Sequence, residues 1–250
     1  MKKLSLYIIC LALSATSLAQ VKFISSGKIE FERKTNTHRL YYSEEDQSSW
    51  SEQIMKLIPR FKVDYFNLTF NETASIYQPG RENPESRKSG FITSPAQENI
   101  VYKDLTQNNY TSQKQIFESN FLIADSLRNV EWRMEPETRT IAGFECRKAV
   151  GRICDSVVVV AFYTDEIVPV SGPEGFQGLP GMILGLAIPR LYSTWFATKL
   201  ELITPAEASK IKPPTRGKKS SREEMITTID NGIKSWGTKY RDRAIWFATL

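Results

Sequence analysis

Alternation of apolar and polar residues recurs along most of this chain, and it predicts strands. From Gly27 to Arg33, Ile29 and Phe31 fall on one face, with charged residues on the other. Phe61, Val63 and Tyr65 share a face; Phe66, Leu68 and Phe70 then take the opposite parity. That change predicts either a bulge or a strand buried on both sides. Further strands are expected at Ala74–Tyr77, Ile100–Leu105, Gln115–Asp125 (as one piece or two) and Asn129–Met134. Ile141–Val150 and Val157–Tyr163 read as a hairpin. The β-branched run Val157–Val160 predicts cover on both faces of the second strand. Leu184, Leu186 and Ile188 alternate again, and Thr194–Ile203 gives another strand. A count of about nine to eleven short strands argues an antiparallel, mainly β architecture.

Helical spacing is rarer. Trp50, Ile54, Leu57 and Ile58 mark a helix within Tyr42–Ile58 that ends before Pro59. Ser220 and Ser221, three residues ahead of Glu223 and Glu224, form a capping-box pattern. Met225, Ile226, Ile229, Ile233 and Trp236 then line one face of an amphipathic helix over 222–236, within a helical extension at about 220–236. Gln78–Gly90 and Pro205–Lys219 are rich in loop residues.

Residues 1–20 have the composition of a secretory signal. Lys2 and Lys3 precede the apolar stretch Leu4–Leu13, which is too short to span a bilayer, and small residues follow to Ala19. Cleavage is expected near Ala19/Gln20, leaving residues 21–250 as one exported β domain. The net charge of +5 falls to +3 with the two lysines removed. That charge, with no basic stripe interleaved with aromatics, gives no sign of nucleic-acid binding. No second long apolar segment predicts a transmembrane helix in the mature chain.

The residues that carry chemistry are sparse. Cys146 and Cys154 form a disulfide if a turn near Gly151-Arg152 sets them opposite each other. If the turn lies at Asp155-Ser156 they share one strand, about 25 Å apart, and cannot bond. No metal-ligand spacing, phosphate loop or nucleophile elbow is present, and no cofactor is implied. His38 is the single histidine, in a polar run. Asp165 and Glu166 are adjacent, so on a strand they point to opposite faces. No catalytic residue is therefore assigned.

The densest run of glycine and proline lies further on. Phe162-Tyr163-Thr164-Asp165-Glu166-Ile167 is followed by Gly172-Pro173 and then by Gly178-Leu179-Pro180-Gly181-Met182-Ile183. With Ile141–Ala149 upstream, these residues resemble the exported GLPGLI family of Bacteroidetes; Met182 for leucine, Val168 before Pro169 and the extra Cys154 depart from its pattern. A weaker similarity runs to exported lipoprotein carriers of the LolA type. That similarity implies a curved antiparallel sheet or half-barrel over helices, with an apolar interior.

Two roles are open to the glycine-rich phrase. Pro180 holds Leu179 extended and the glycines permit a tight corner, so the phrase can launch the strand Met182–Ile188 with Leu179 as a core plug. Alternatively, Phe176, Gly178, Leu179, Pro180, Gly181, Met182 and Ile183 form a rigid loop presented to a ligand or partner. The expected function is non-enzymatic binding in the periplasm or cell envelope. The ligand would be an apolar molecule such as a lipid or acylated peptide. The alternative is an assembly factor that meets another envelope protein through this loop, and a hydrolase ranks last.

Overall fold

The computed structural model describes residues 23–41, 49–86, 98–154, 156–236 and 238–250. The signal-like segment 1–20 and part of the Tyr42–Ile58 helix lie outside these. In chain order the elements are β1 (Gly27–Asn36), α1 (Thr37–Tyr41), α2 (Ser49–Leu57), β2 (Phe61–Phe70), β3 (Ala74–Pro79), β4 (Ile100–Asp104), β5 (Asn109–Ile116) and β6 (Ser119–Ser126). They continue with β7 (Arg133–Ile141), β8 (Phe144–Ile153), β9 (Val157–Thr164), β10 (Met182–Ile188), β11 (Ser193–Glu201), α3 (Pro205–Ala208), β12 (Lys218–Lys219), α4 (Arg222–Ile233) and α5 (Thr238–Ala248).

All the strands join one sheet in the order β12-β6-β5-β4-β3-β2-β1-β11-β10-β9-β8-β7, antiparallel except for the β12–β6 pair. This order requires the sheet to curl. β6 and β7 lie near opposite ends, about 48 Å apart in a flat sheet with ten strand spacings between them. Residues 127–132 join them, and the chain from Ser126 to Arg133 reaches at most about 25 Å. The protein is thus mainly β, built on one large, open, curved sheet with a C-terminal helix.

β1 alternates as expected, burying Ile29 and Phe31 while Lys28, Glu30 and Glu32 face outward. β2 contains no bulge: it pairs with β1 in unbroken register from Gly27↔Phe70 to Asn36↔Phe61. Nor is it buried on both sides. Phe66, Leu68 and Phe70 face the core, and the outer aromatics lie under cations. Arg81 stands 3.3 Å above the Tyr65 ring, and Lys34 4.7 Å above Phe61. Cation–π contact lets these rings stay on the outer face without a second layer.

β9 also corrects its expectation, because Val158 is exposed and burial becomes continuous only from Ala161. The strand expected at Asn129–Met134 begins instead at Arg133 and runs to Ile141. β7 is an edge strand, which explains its polar sequence and the internal Pro136, as does its irregular pairing between Met134 and Thr138.

The hairpin of β8 and β9 sets Ile153 opposite Val157, so the chain reverses after Ile153 and not near Gly151-Arg152. Cys146 and Cys154 therefore belong to the same strand and the turn that follows it, and both thiols are free. The disulfide is not formed, for the geometric reason above. Burial pushes the Cys146 thiol up to about 12, which leaves it a small apolar core group.

α4 packs Met225, Ile229 and Ile233 against Ile116, Phe121 and Ile123 of β5 and β6, joined by Ala244 and Ala248 of α5. Each large side chain buried there stabilises by about 1.5–3 kcal/mol. The Ser221 hydroxyl accepts from the Glu224 amide at 3.1 Å, capping α4. The reciprocal capping box forms at Thr204 and Glu207 instead, starting α3 inside the segment expected to be loop.

Candidate functional site

β9 and β10 are antiparallel neighbours, yet residues 165–181 separate them where a two-residue turn would suffice. This connection carries the glycine-rich phrase, and it crosses the inner face of the sheet as a strap. Ile167 bridges Ile24, and Ser171 bridges Met182. The Ser171 hydroxyl meets that of Ser75 on β3 at 2.8 Å. Lys103 on β4 donates from Nζ to two strap carbonyls, Gly172 O at 2.7 Å and Phe176 O at 2.8 Å. Trp132 Nε1 donates to Gln177 O at 2.9 Å, pinning the far end.

The motif's apolar side chains turn inward. Phe176, Leu179, Met182, Ile183 and Leu184 are all buried in the main core. Phe176, Leu179, Met182 and Ile183, weighed above as side chains presented to a ligand or partner, have their surfaces packed in the core. Gly178 and Pro180 reach the surface.

The two motif glycines do different work. Gly178 has φ +92°, and a Cβ there would meet Trp132 Nε1 at an unexceptional 3.5 Å. Gly181 has φ +130°, and its Cβ would lie 2.0 Å from the Thr164 carbonyl oxygen. Only a residue without a side chain lets β10 start against the end of β9.

Beneath the strap lies a buried polar cluster. Arg33 (β1), Lys103 (β4) and Lys114 (β5) are 4%, 0% and 2% exposed. Glu174 on the strap is 1% exposed; its Oε2 accepts from Asn99 Nδ2 at 3.0 Å, and its Oε1 lies 4.0 Å from Arg33 NH1. Arg33 also pairs with Asp64 at 2.9 Å and stacks 4.5 Å from the Phe66 ring, which in turn stacks on Tyr77. Lys114 donates to Leu250 O at 3.1 Å.

Burial lowers Lys103 to about 7 and Lys114 to about 8, against the supporting charge of Glu174. Burial, reinforced by Glu174, pushes the Tyr77 hydroxyl well above the ordinary phenol value.

Lys103 gives a pH prediction with a definite sign. Its pKa falls on folding, so between about pH 7 and 10.5 the unfolded chain holds more protons than the folded one. Stability from this group therefore rises with pH across that window, by up to about 1.4 kcal/mol per unit. Urea denaturation at pH 7 and pH 9 should show wild type gaining on Lys103→Met as pH rises. A gap that stays constant would contradict this.

An open groove of about 460 Å³ runs beside the strap, lined by Leu105, Asn108, Leu127, Arg128, Asn129, Val170, Gln177 and Gly178. Gln177 Nε2 donates to Asn108 Oδ1 at 2.9 Å, fixing one wall to the β4–β5 turn. Arg128 donates to Thr249 O at 2.5 Å. The residues weighed for catalysis are engaged elsewhere: His38 Nε2 bonds Ile58 O, and exposed Asp165 pairs with Arg147 at 3.2 Å. Among the described residues, no cluster of three metal-ligating side chains occurs, and no helix is long and apolar enough to cross a membrane.

Sequence reasoning missed Arg33, Lys103, Lys114, Asn99 and Glu174. A signal for the three cations exists in strand parity: Arg33 continues Ile29 and Phe31, Lys103 follows Val101, and Lys114 precedes Ile116.

Residues 151–185 match a family described as "Protein of unknown function (Porph_ging)". The match covers the motif region and bears out the family resemblance drawn from these residues. Comparison with curated proteins finds no match. Among solved structures, two crystal forms of PNGF-II align with TM-score 0.53. Identities are 13% and 12%, over 82% and 80% of this chain. The chain spans about a third of the length of PNGF-II, 32% and 33% in the two forms. An uncharacterized conserved protein from Thermus thermophilus aligns at TM-score 0.39 with 7% identity, over 84% of this chain and 99% of that one. At these identities the PNGF-II alignments bear on the fold alone.

Proposed function

Taking the Porph_ging signature over residues 151–185 as the premise, we propose that this chain is an exported, non-enzymatic binding protein of the cell envelope. Its recognition surface is the groove beside Gly178. The observation that carries this reading is the division of labour within the strap. The motif's apolar side chains are spent on the core, while its surface end at Gln177 and Gly178 forms a wall of an open groove.

The groove suits an extended polypeptide segment of an envelope partner. Asn108, Asn129 and Gln177 offer amide groups for main-chain N–H and C=O, and Leu105, Leu127 and Val170 offer apolar contact. This is the assembly-factor alternative, with contact beside the motif rather than through its side chains. A lipid or acylated ligand has less support, since the side chains expected to line its cavity are themselves packed.

Val170 is 40% exposed, so Val170→Asp should leave the melting temperature nearly unchanged while charging the groove. Native mass spectrometry of protein purified from its own envelope tests the reading. Wild type should carry a co-purified polypeptide that the variant lacks. Equal retention by both, or none by wild type, would sink it.

A further inference from the structure

We propose that the inner face beneath the strap is a carboxylate-recognition site, and that Glu174 is the chain's own occupant of it. The inference goes beyond the groove reading and stands independently of it. Arg33, Lys103 and Lys114 reach the inner face from three strands, and Glu174 is the one buried carboxylate side chain among the described residues. Its charge acts on all three cations. Burying three cations is costly unless an anion and a full set of hydrogen bonds compensate them.

The occupant meets that need incompletely. Glu174 Oε1 has no hydrogen-bond partner among the described residues; neither has Arg33 Nε, and the Tyr77 O–H donates to none. Two donors, Arg33 Nε and the Tyr77 O–H, thus stand unused in the cluster that receives the carboxylate, while Trp195 Nε1 is directed at the Tyr77 oxygen. Tyr77 lies within the influence of Glu174, Arg33 and Trp195, which places these groups together. Glu174 also holds φ +50°, a left-handed conformation unfavourable for glutamate. A free carboxylate, unconstrained by that backbone, can align with the planar fork of Arg33 and reach a further donor. The planar fork matches a carboxylate bidentately, and the group that occupies the site is itself a carboxylate. An external carboxylate therefore competes with the strap for this site instead of adding to it.

Glu174→Gly empties the site and suits the backbone, because glycine takes φ +50° freely. Thermal melting of this variant at pH 7 is compared in sodium acetate and in sodium chloride of equal ionic strength, up to about 100 mM, which screens surface charges alike. Acetate is expected to raise the melting temperature saturably by about 3–6 °C over chloride, following a ligand that binds the native state. Wild type should not distinguish the two salts, because its tethered Glu174 outcompetes acetate at these concentrations, and neither should the double variant Glu174→Gly/Arg33→Met. If Glu174→Gly does not fold in chloride, recovery of native near-UV circular dichroism in acetate supports the site. Equal response to both salts, or no fold in either, overturns it.

Discussion

Gly181→Ala is expected to cost about 3–5 kcal/mol, a large part of the 5–15 kcal/mol that holds an ordinary domain folded. Two effects combine. A φ of +130° is a conformation that alanine adopts only with about 1–3 kcal/mol of strain. The new Cβ would also stand 2.0 Å from the Thr164 carbonyl oxygen, so β9 and β10 must separate where they first pair at Thr164↔Met182. Crowding of that kind adds about 1–3 kcal/mol. Gly178→Ala is the matched control: its positive φ costs about 1–2 kcal/mol, and the added Cβ meets Trp132 no closer than 3.5 Å. Urea denaturation of both variants should show the second glycine of the motif as the demanding one. Equal effects would contradict the strand-launching role.

Glu174→Gln is the other large expected effect, because it removes a charge while nearly preserving shape. Losing one partner of a buried ion pair costs about 3–5 kcal/mol, since the remaining charges stay buried without compensation. The cost should shrink as pH rises from 6 to 9. Lys103 and Lys114, lowered to about 7 and about 8, lose their protons in that interval, and fewer cations then need the carboxylate. Chemical denaturation of wild type and variant at both pH values gives the comparison. A penalty independent of pH would show that Glu174 acts through packing alone.

Much of the sheet could be read from alternation, because a strand with one face in the core writes that face into every second residue. β1, β4, β8 and β10 were legible in this way, and the amphipathic face of α4 equally so, whereas β9 was marked by its β-branched run and its alternation at Val158 was not foreseen. β7 was misplaced because an edge strand with charged residues and Pro136 buries little and so shows no pattern. α5 passed unnoticed because much of what it buries is small: Ala244 and Ala248, beside Phe247.

The glycine-rich phrase was legible as a corner that launches β10. Its partners under the strap were not, since a charged residue is ordinarily taken as solvated. Lys103 and Lys114 are exceptions that only their parity with Val101 and Ile116 reveals. No local pattern could announce Glu174, whose partners Arg33 and Asn99 lie 141 and 75 residues earlier in the chain.

The motif-bearing strap is part of the core and not a loop that opens to present its side chains. Native-state hydrogen exchange at the Ile183 amide tests it directly, because that N–H donates to Ser171 O at 2.8 Å and joins the strap to β10. Exchange at Ile183 is expected only through global unfolding, with the same free energy as at the Ile29 amide of β1. Exchange at Ile183 through an opening about 3 kcal/mol or more below that of Ile29 would contradict it, and would return the motif to the role of a mobile, ligand-facing loop.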